Sequence, residues 1–545
     1  MLSSRALKPT SEHGLVHFLD MLFMKLRHGY ERSLHVVLAY RWLVLIMALV
    51  LFVSIPFMLM ESQSELAPTE DQGILFFSGI GPPTATLHYM SAYATQIRKI
   101  CQSFPETQQV FQINGFSPLT PGYNGLIGGM LLKPWDQRTV TQMQLTAPFQ
   151  QKLSKVAGLQ TTDFALPSIP GAPFGLPVQF VVTSTKGYKD LDQAAGKIIA
   201  AAEKSGKFLF VEKDLRYDAP QVKLTINHSL VAALGLNNSE LAADLQPLLG
   251  GNYVNRFDLQ GHTYKVIPQL PDNLRATASM LKRIYIQTAG GQMVPLSTVV
   301  TIHHLVEPEF LPQFQQLNSV TISAVPAPGT SMGSALAYLH STLQSLFPTG
   351  YAAHYAGESR QFEKQGNAIY ITFLLAIILI FLLMAAQFES FRDPFIVMFT
   401  VPMSIFGAAL FMFIGVAKLN IYTEVGLITL IGLITKQGIL IVEFANRLQE
   451  NEGMSIYEAI IHASAVRLRP ILMTTGAMVL GVVPLLVASG AGAVSRFDMG
   501  LMIASGLSIG CLFSLYVIPV VYTFVASRKE KIEPTAEESH PGAAH

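Results

Sequence analysis

The chain has 545 residues, half of them hydrophobic and only 13% charged, against roughly a quarter charged in soluble domains, and this points to a membrane protein. Its 37 basic and 36 acidic side chains leave a formal net charge of +1, which excludes a general attraction to nucleic acid. The two cysteines, Cys101 in a polar stretch and Cys511 in an apolar run, exclude a disulfide framework.

Residues 1–41 mix Arg5, Lys8, His13, Lys25, Arg27 and His28 with no apolar core or cleavage site, so they read as a cytoplasmic segment and the first apolar helix does the targeting. That helix is 42–60, matching the span of about 20 apolar residues that a bilayer requires. Further spanning signals come only at 368–387, 394–416, 423–444, 470–488 and 500–526, within a block of five helices over 368–526. Lys25, Arg27, Arg32 and Arg41 precede the first helix. Arg447, Arg467 and Arg469 lie between the fourth and fifth, and Arg528, Lys529 and Lys531 follow the sixth. With six spans all three basic groups fall on one side, so both termini, including the tail 527–545, are expected in the cytoplasm and 61–367 outside.

Within the insert, strand and helix periods alternate. A strand at Ile74 precedes an amphipathic stretch, 85–104, then come a strand from Gln109 and a helix over 140–156. The theme repeats with a strand from Pro177, a helix over 188–204 and strands from Phe208, Gln221 and Ser319. This predicts two βαβ-rich α+β subdomains over 61–226, completed by 313–367. Between them, 227–312 reads as an insertion with two short helices and a hairpin-like stretch over 252–270. The connection 454–469 places Ile456, Ala459, Ile460 and Ala463 at helical spacing, which suits either a helix on the bilayer surface or an ordinary amphipathic linker.

Lys436 sits midway through an apolar span, where a charge costs at least about 2.5–3.5 kcal/mol and marks function by default. Glu443, seven residues on, shares roughly the same helix face but lies about 10 Å along the axis at 1.5 Å per residue. Asp498 and Glu424 fall at helix ends and are expected to face water. His303 and His304 are adjacent rather than at metal spacing, and the Gly-rich pieces lack the Lys-Ser or Lys-Thr of a phosphate loop. No enzyme and no cofactor is indicated, which leaves an ion gradient or partners as the energy source.

LIGLITKQGILIVEFANRL from Leu430 and RLRPILMTTGAMVLGVVPLLVASGAGA from Arg467 resemble the last helices of resistance-nodulation-division (RND) multidrug efflux permeases, hydrophobe/amphiphile exporters of the acriflavine-resistance type. LAPTEDQG at 66–73 resembles that family's first strand after its seventh helix, FESFRDPFIVMFTVP at 388–402 its eighth-to-ninth helix junction, and SSRALKP at 3–9 the end of its sixth helix. The resemblance covers nearly the whole chain and implies a membrane α-helical bundle of six transmembrane helices plus periplasmic α+β porter subdomains with an inserted docking subdomain. It implies the C-terminal half of an inner-membrane pump whose full-length members carry two such halves and form trimers. A split or interrupted gene is therefore expected, with the N-terminal half on a separate chain. A periplasmic adaptor and an outer-membrane channel are implied partners, and protons and a small amphiphilic or hydrophobic compound the transported species.

By the same resemblance Lys436 belongs to a proton relay with two carboxylates of the other half, and Arg467 and Thr474 match further relay positions. Arg467 reads almost equally well as a topology anchor, and Thr474 as a hydroxyl bonded to a backbone carbonyl. FQINGFSPLTPGYNGLIGG, 111–129, resembles the drug-binding strand and switch loop. Phe111, Ile113 and Phe116 match pocket positions, and Phe180 roughly matches another; core packing is the alternative for each phenylalanine. Pro118 and Gly129 stand where phenylalanines are usual, so a slimmer, less aromatic pocket is expected. A non-transporting relic or sensor, or a lipid- or protein-export auxiliary, competes with the transporter reading.

Overall fold

The computed structural model describes residues 15–117, 122–167, 169, 175–249, 253–288, 290–327 and 329–528. Helix α1 (Leu15–Ala39) runs into α2 (Arg41–Glu61) with only Tyr40 between them. One face of α1 is committed to protein: Leu34 and Leu38 join a buried cluster with Ala459, Ile460 and Ala463, and the Tyr30 hydroxyl donates to the Leu515 carbonyl at 2.6 Å.

The first unit of the insert joins β1 (Ile74–Ile80), α3 (Leu87–Gln102), β2 (Thr107–Asn114), β3 (Gly125–Leu132), α4 (Gln142–Leu153) and β4 (Gln160–Phe164) in an antiparallel sheet of order β2-β3-β1-β4. Met90, Ala94, Ile97 and Cys101 bury one helical stripe of α3, as a period of 3.6 requires, and Thr86 caps its start by accepting from the Tyr89 amide. Strand β3 begins inside the 111–129 stretch that resembles a drug-binding strand and switch loop. Its Gly128 and Gly129 are required by packing: a Cβ on Gly128 would fall 2.3 Å from Phe77 Cζ, and one on Gly129 2.4 Å from Phe111 Cε1. The space at Gly129 is thus occupied by the Phe111 ring.

The second unit holds β5 (Val178–Ser184), α5 (Tyr188–Lys204) and β6 (Phe208–Lys213). Strand β7 (Ala219–Ile226) then leads into a third unit of α6 (His228–Ala233), α7 (Asn238–Leu248), β8 (Asn255–Leu259), β9 (His262–Val266), β10 (Tyr285–Gln287), β11 (Met293–Pro295) and α8 (Leu296–Val299). The chain returns through β12 (Val300–Glu307), which pairs antiparallel with β7 from Ile226↔Val300 to Ala219↔Glu307. This ribbon carries the third unit away from the second. Every residue of the β8–β9 hairpin is exposed. The second unit closes with β13 (Gln313–Phe314), β14 (Leu317–Pro326), α9 (Met332–Leu346) and β15 (Ala352–Tyr355), in sheet order β13-β14-β5-β15 with β6 also on β14. Ile127, Phe164 and Leu176, flanked by Phe76, Phe210 and Val325, form the small apolar seam between first and second units.

Helices α10 (Gly357–Phe388), α11 (Arg392–Met398), α12 (Thr400–Phe413), α13 (Ile421–Glu452), α14 (Ile456–Leu486) and α15 (Ala493–Val525) follow. Together with α2, and with α11 and α12 taken as one path broken at Phe399, they give six helices among the described residues that are long and apolar enough to cross a membrane. Close approach at the centre rests on small residues: a Cβ on Gly510 would meet Ser404 Cα at 2.8 Å, and one on Gly407 would meet Ile509 Cβ at 2.7 Å.

Several sequence expectations change. The 454–469 connection is the first half of α14, continuous through Pro470, and its apolar face packs inward on α1 rather than on lipid. The helix that holds the span expected at 368–387 begins earlier, at Gly357. Asp498 does not face water: it is buried and accepts from Asn420 Nδ2 at 2.8 Å.

Candidate functional site

Asn420 starts α13 by accepting from the Tyr422 and Thr423 amides, and Gly453, at φ +68°, ends it. One face of this 32-residue helix is buried through Leu430, Ile434, Gln437, Gly438 and Ile441. On another, Val425, Thr429, Gly432 and Lys436 are exposed, at spacings of four, three and four that align them in one stripe. Lys436 has no hydrogen-bond or ion-pair partner among the described residues. Glu443 is engaged elsewhere, pairing with Arg447 at 2.6 Å.

Next to the lysine, Gln437 turns into the bundle. Its Nε2 donates to Thr475 Oγ1 at 2.7 Å, its Oε1 accepts from Ser514 Oγ at 3.2 Å, and Thr475 Oγ1 donates to Cys511 Sγ at 3.6 Å. This buried polar set joins α13, α14 and α15. A second set lies two to three turns further along α13: Asn446 Nδ2 donates to Asp393, and the Tyr522 hydroxyl donates to Asn446 Oδ1 while accepting from Gln449 Nε2. The sequence reading missed both, because uncharged polar residues in a span resemble packing residues. Thr474 Oγ1 donates to the Ile471 carbonyl at 3.1 Å. The Arg467 guanidinium lies 4.4 Å from the Phe444 ring centroid, with Nε buried and unbonded. Among the described residues, no hydrogen bond or ion pair joins Lys436, Arg467 and Thr474 to one another.

In the first unit, Phe111 and Ile113 alternate onto the same exposed face of β2, with Phe116 exposed just beyond. The Phe111 ring meets Phe76 edge-on at 5.8 Å, and Phe76 lies 6.0 Å from Phe164. Phe180 is elsewhere: it has no exposed surface, sits in the core of the second unit and tilts on Tyr355 at 5.9 Å. Residues 118–121 of the switch-like loop, Pro118 among them, lie outside the described residues.

The segment after α2 connects these regions. Glu65 pairs with Lys418 at 2.7 Å. Glu70 accepts from the Ser495 amide at 2.7 Å, from its hydroxyl and from the Val494 amide at 3.3 Å, so a carboxylate caps α15. Asp71 pairs with Arg138 at 2.5 Å and accepts from the Gln142 amide at 3.0 Å, at the start of α4. Burial alone would raise the Asp71 carboxyl, but Arg138 and the Gln142 and Gly73 amides outweigh it and hold the group below its ordinary value.

Residues 1–526 match the AcrB/AcrD/AcrF family. The chain belongs to that family. It is 38% identical over 550 residues to an uncharacterized transporter of Haemophilus influenzae, covering 99% of this chain and 52% of that one. It is 30% identical to the multidrug/solvent efflux pump membrane transporter MepB of Pseudomonas putida over 96% of this chain and 50% of MepB. It is 31% identical to the multidrug export protein AcrF of Escherichia coli over 87% of this chain and 46% of AcrF. The family members are RND efflux transporters, not enzymes, and the chain spans about half the length of the curated relatives it matches.

Proposed function

We propose that this AcrB/AcrD/AcrF-family chain is the C-terminal half of a proton-driven efflux permease of the inner membrane, exporting small amphiphilic or hydrophobic compounds. The observation that carries this is Lys436, mid-span on an exposed stripe with no counter-charge among the described residues. An ammonium in hydrocarbon needs a carboxylate or loses its proton. Glu443 is spent on Arg447, so the carboxylates come from the N-terminal half of the permease, on a separate chain that packs over the stripe. Their protonation releases Lys436 and repacks α13 against α14 and α15, with Arg467 and Thr474 near the proton's path. Phe111, Ile113 and Phe116 present the substrate surface, the β8–β9 hairpin meets an outer-membrane channel, and a periplasmic adaptor completes the trimeric pump.

The test is reconstitution of this chain with a matching N-terminal half in vesicles carrying a pH gradient. Substrate export coupled to proton movement is expected for the pair, none for this chain alone, and none for the pair with Lys436→Met. Export by this chain as the sole transporter component would overturn the proposal.

A further inference from the structure

Helix α2 and the α11–α12 path run side by side in the same direction: Phe52 shares a groove with Met398 and Pro402, and further along Phe57 lies 6.2 Å from Phe413. Between them is a groove of about 380 Å³, lined by Leu45, Leu49 and Phe52 on one side and Phe395, Phe399 and Pro402 on the other, with only apolar residues in its wall. It continues into a second apolar hollow of about 300 Å³. The lining on α2 begins four residues after Arg41 and ends eleven after it, roughly 6–17 Å deep at 1.5 Å per residue. The lining on α11–α12 begins three residues after Arg392. Both walls thus occupy about one leaflet of a hydrocarbon core roughly 30 Å thick, and both start from an arginine.

The two arginines are free to take a ligand. Arg392 is exposed, and neither guanidinium has a hydrogen-bond or ion-pair partner among the described residues; Arg41 only stacks over the Phe524 ring at 5.0 Å. Trp42, three residues before Leu45 at the start of the groove's lining, packs on the same Phe524 ring at 4.9 Å, and such rings mark the headgroup level. An apolar groove opening onto the bilayer is filled by what surrounds it, because an unfilled void forfeits its dispersion contacts. Two guanidiniums at its mouth select the headgroup, since their forked donors match phosphate oxygens.

We infer that this groove is a binding site for an anionic phospholipid, one acyl chain lying along Leu45–Phe52 and the phosphate held between Arg41 and Arg392. A zwitterionic lipid places a choline beside the same two cations and binds more weakly. The occupant is a membrane lipid and not a transported amphiphile, because the wall has no polar group to hold a headgroup at depth.

The chain has two tryptophans, so Trp135→Phe leaves Trp42 as the reporter. This variant is reconstituted in nanodiscs, and quenching of Trp42 is compared for phosphatidylglycerol and phosphatidylcholine brominated on the acyl chain. A preference for phosphatidylglycerol of about fivefold or more is expected for two juxtamembrane charges, falling to near unity in Arg41→Gln with Arg392→Gln. Because Arg41 belongs to a basic cluster that orients α2, Arg392→Gln is read alone as well and should lose about half of the preference on a logarithmic scale. Equal quenching by the two lipids, or a preference unchanged in Arg392→Gln, overturns the site, as does absence of quenching by either lipid, which would mean that protein covers the groove. None of these readouts depends on efflux, so the lipid site and the transport reading fail separately.

Discussion

At the scale of single residues, exposure separates the phenylalanines that family likeness had grouped. Phe116 is 54% exposed, whereas Phe180 has no exposed surface. Phe116→Ala should therefore alter the export spectrum of the paired halves while leaving folded protein at the wild-type level, and Phe180→Ala should cost about 3–5 kcal/mol of stability. Expression and thermal unfolding read beside export for the two variants check this. Asp163 gives a pH dependence. It is buried with Oδ2 unbonded, and burial pushes its carboxyl up to about 7. A raised folded-state value means that the folded chain holds this proton more tightly than the unfolded one, so stability falls as pH rises from about 4 towards 7 and stays low above. Asp163→Asn should raise the unfolding temperature at pH 8 and have little effect at pH 4. Lys436 was legible in the sequence because a charge in an apolar run has few structural excuses. Thr475 was not: it and Thr474 differ by one step of helix phase, and only packing shows that Thr475 meets Gln437 while Thr474 bonds back to its own helix.

Among the elements, helices with clear stripes and caps were readable, and α5 occupies the predicted 188–204. Strand β3 was not, because paired glycines in mid-strand carry a turn signal whose actual cause, the rings of Phe77 and Phe111, comes from neighbouring strands. The helices run longer than the predicted spans because hydropathy marks only the lipid-facing length. The extra turns of α10 and α14 continue beyond the apolar windows, and α14 continues through Pro470. Glycines in the spans divide by what surrounds them. Gly510 faces Ser404 backbone, so Gly510→Ala should push α12 from α15 and destabilise the chain by about 1–3 kcal/mol. Gly432, on the Lys436 stripe, has nothing within 4 Å. Gly432→Ala should leave the isolated chain's unfolding temperature unchanged yet weaken assembly with the N-terminal half. Thermal unfolding and co-purification measure the two effects, and intact assembly of Gly432→Ala would remove that stripe from the proposed interface.

For the whole molecule, the basic clusters make a topological prediction that single cysteines can test. Gln260, at the turn of the exposed β8–β9 hairpin, and Asn451, near the end of α13, are both solvent-accessible. In a background without Cys101 and Cys511, an impermeant thiol reagent on intact spheroplasts should label Gln260→Cys and spare Asn451→Cys; the reverse pattern would invert the orientation. The division into three units was partly legible, since strand and helix periods alternate on either side of 227–312. What sequence periods could not supply was the β7–β12 ribbon, in which β7 precedes that insertion and β12 lies near its end.

The segment after α2 has one more consequence. Glu70 and Asp71 are joined by a single peptide bond, yet one holds the first amides of α15 and the other holds the first amide of α4. Two helix ends, one in the bundle and one in the first α+β unit, are yoked back to back through adjacent carboxylates. A displacement of α15 along its axis would pull on α4 through this yoke, because only one peptide bond separates the two carboxylates that hold the helix ends.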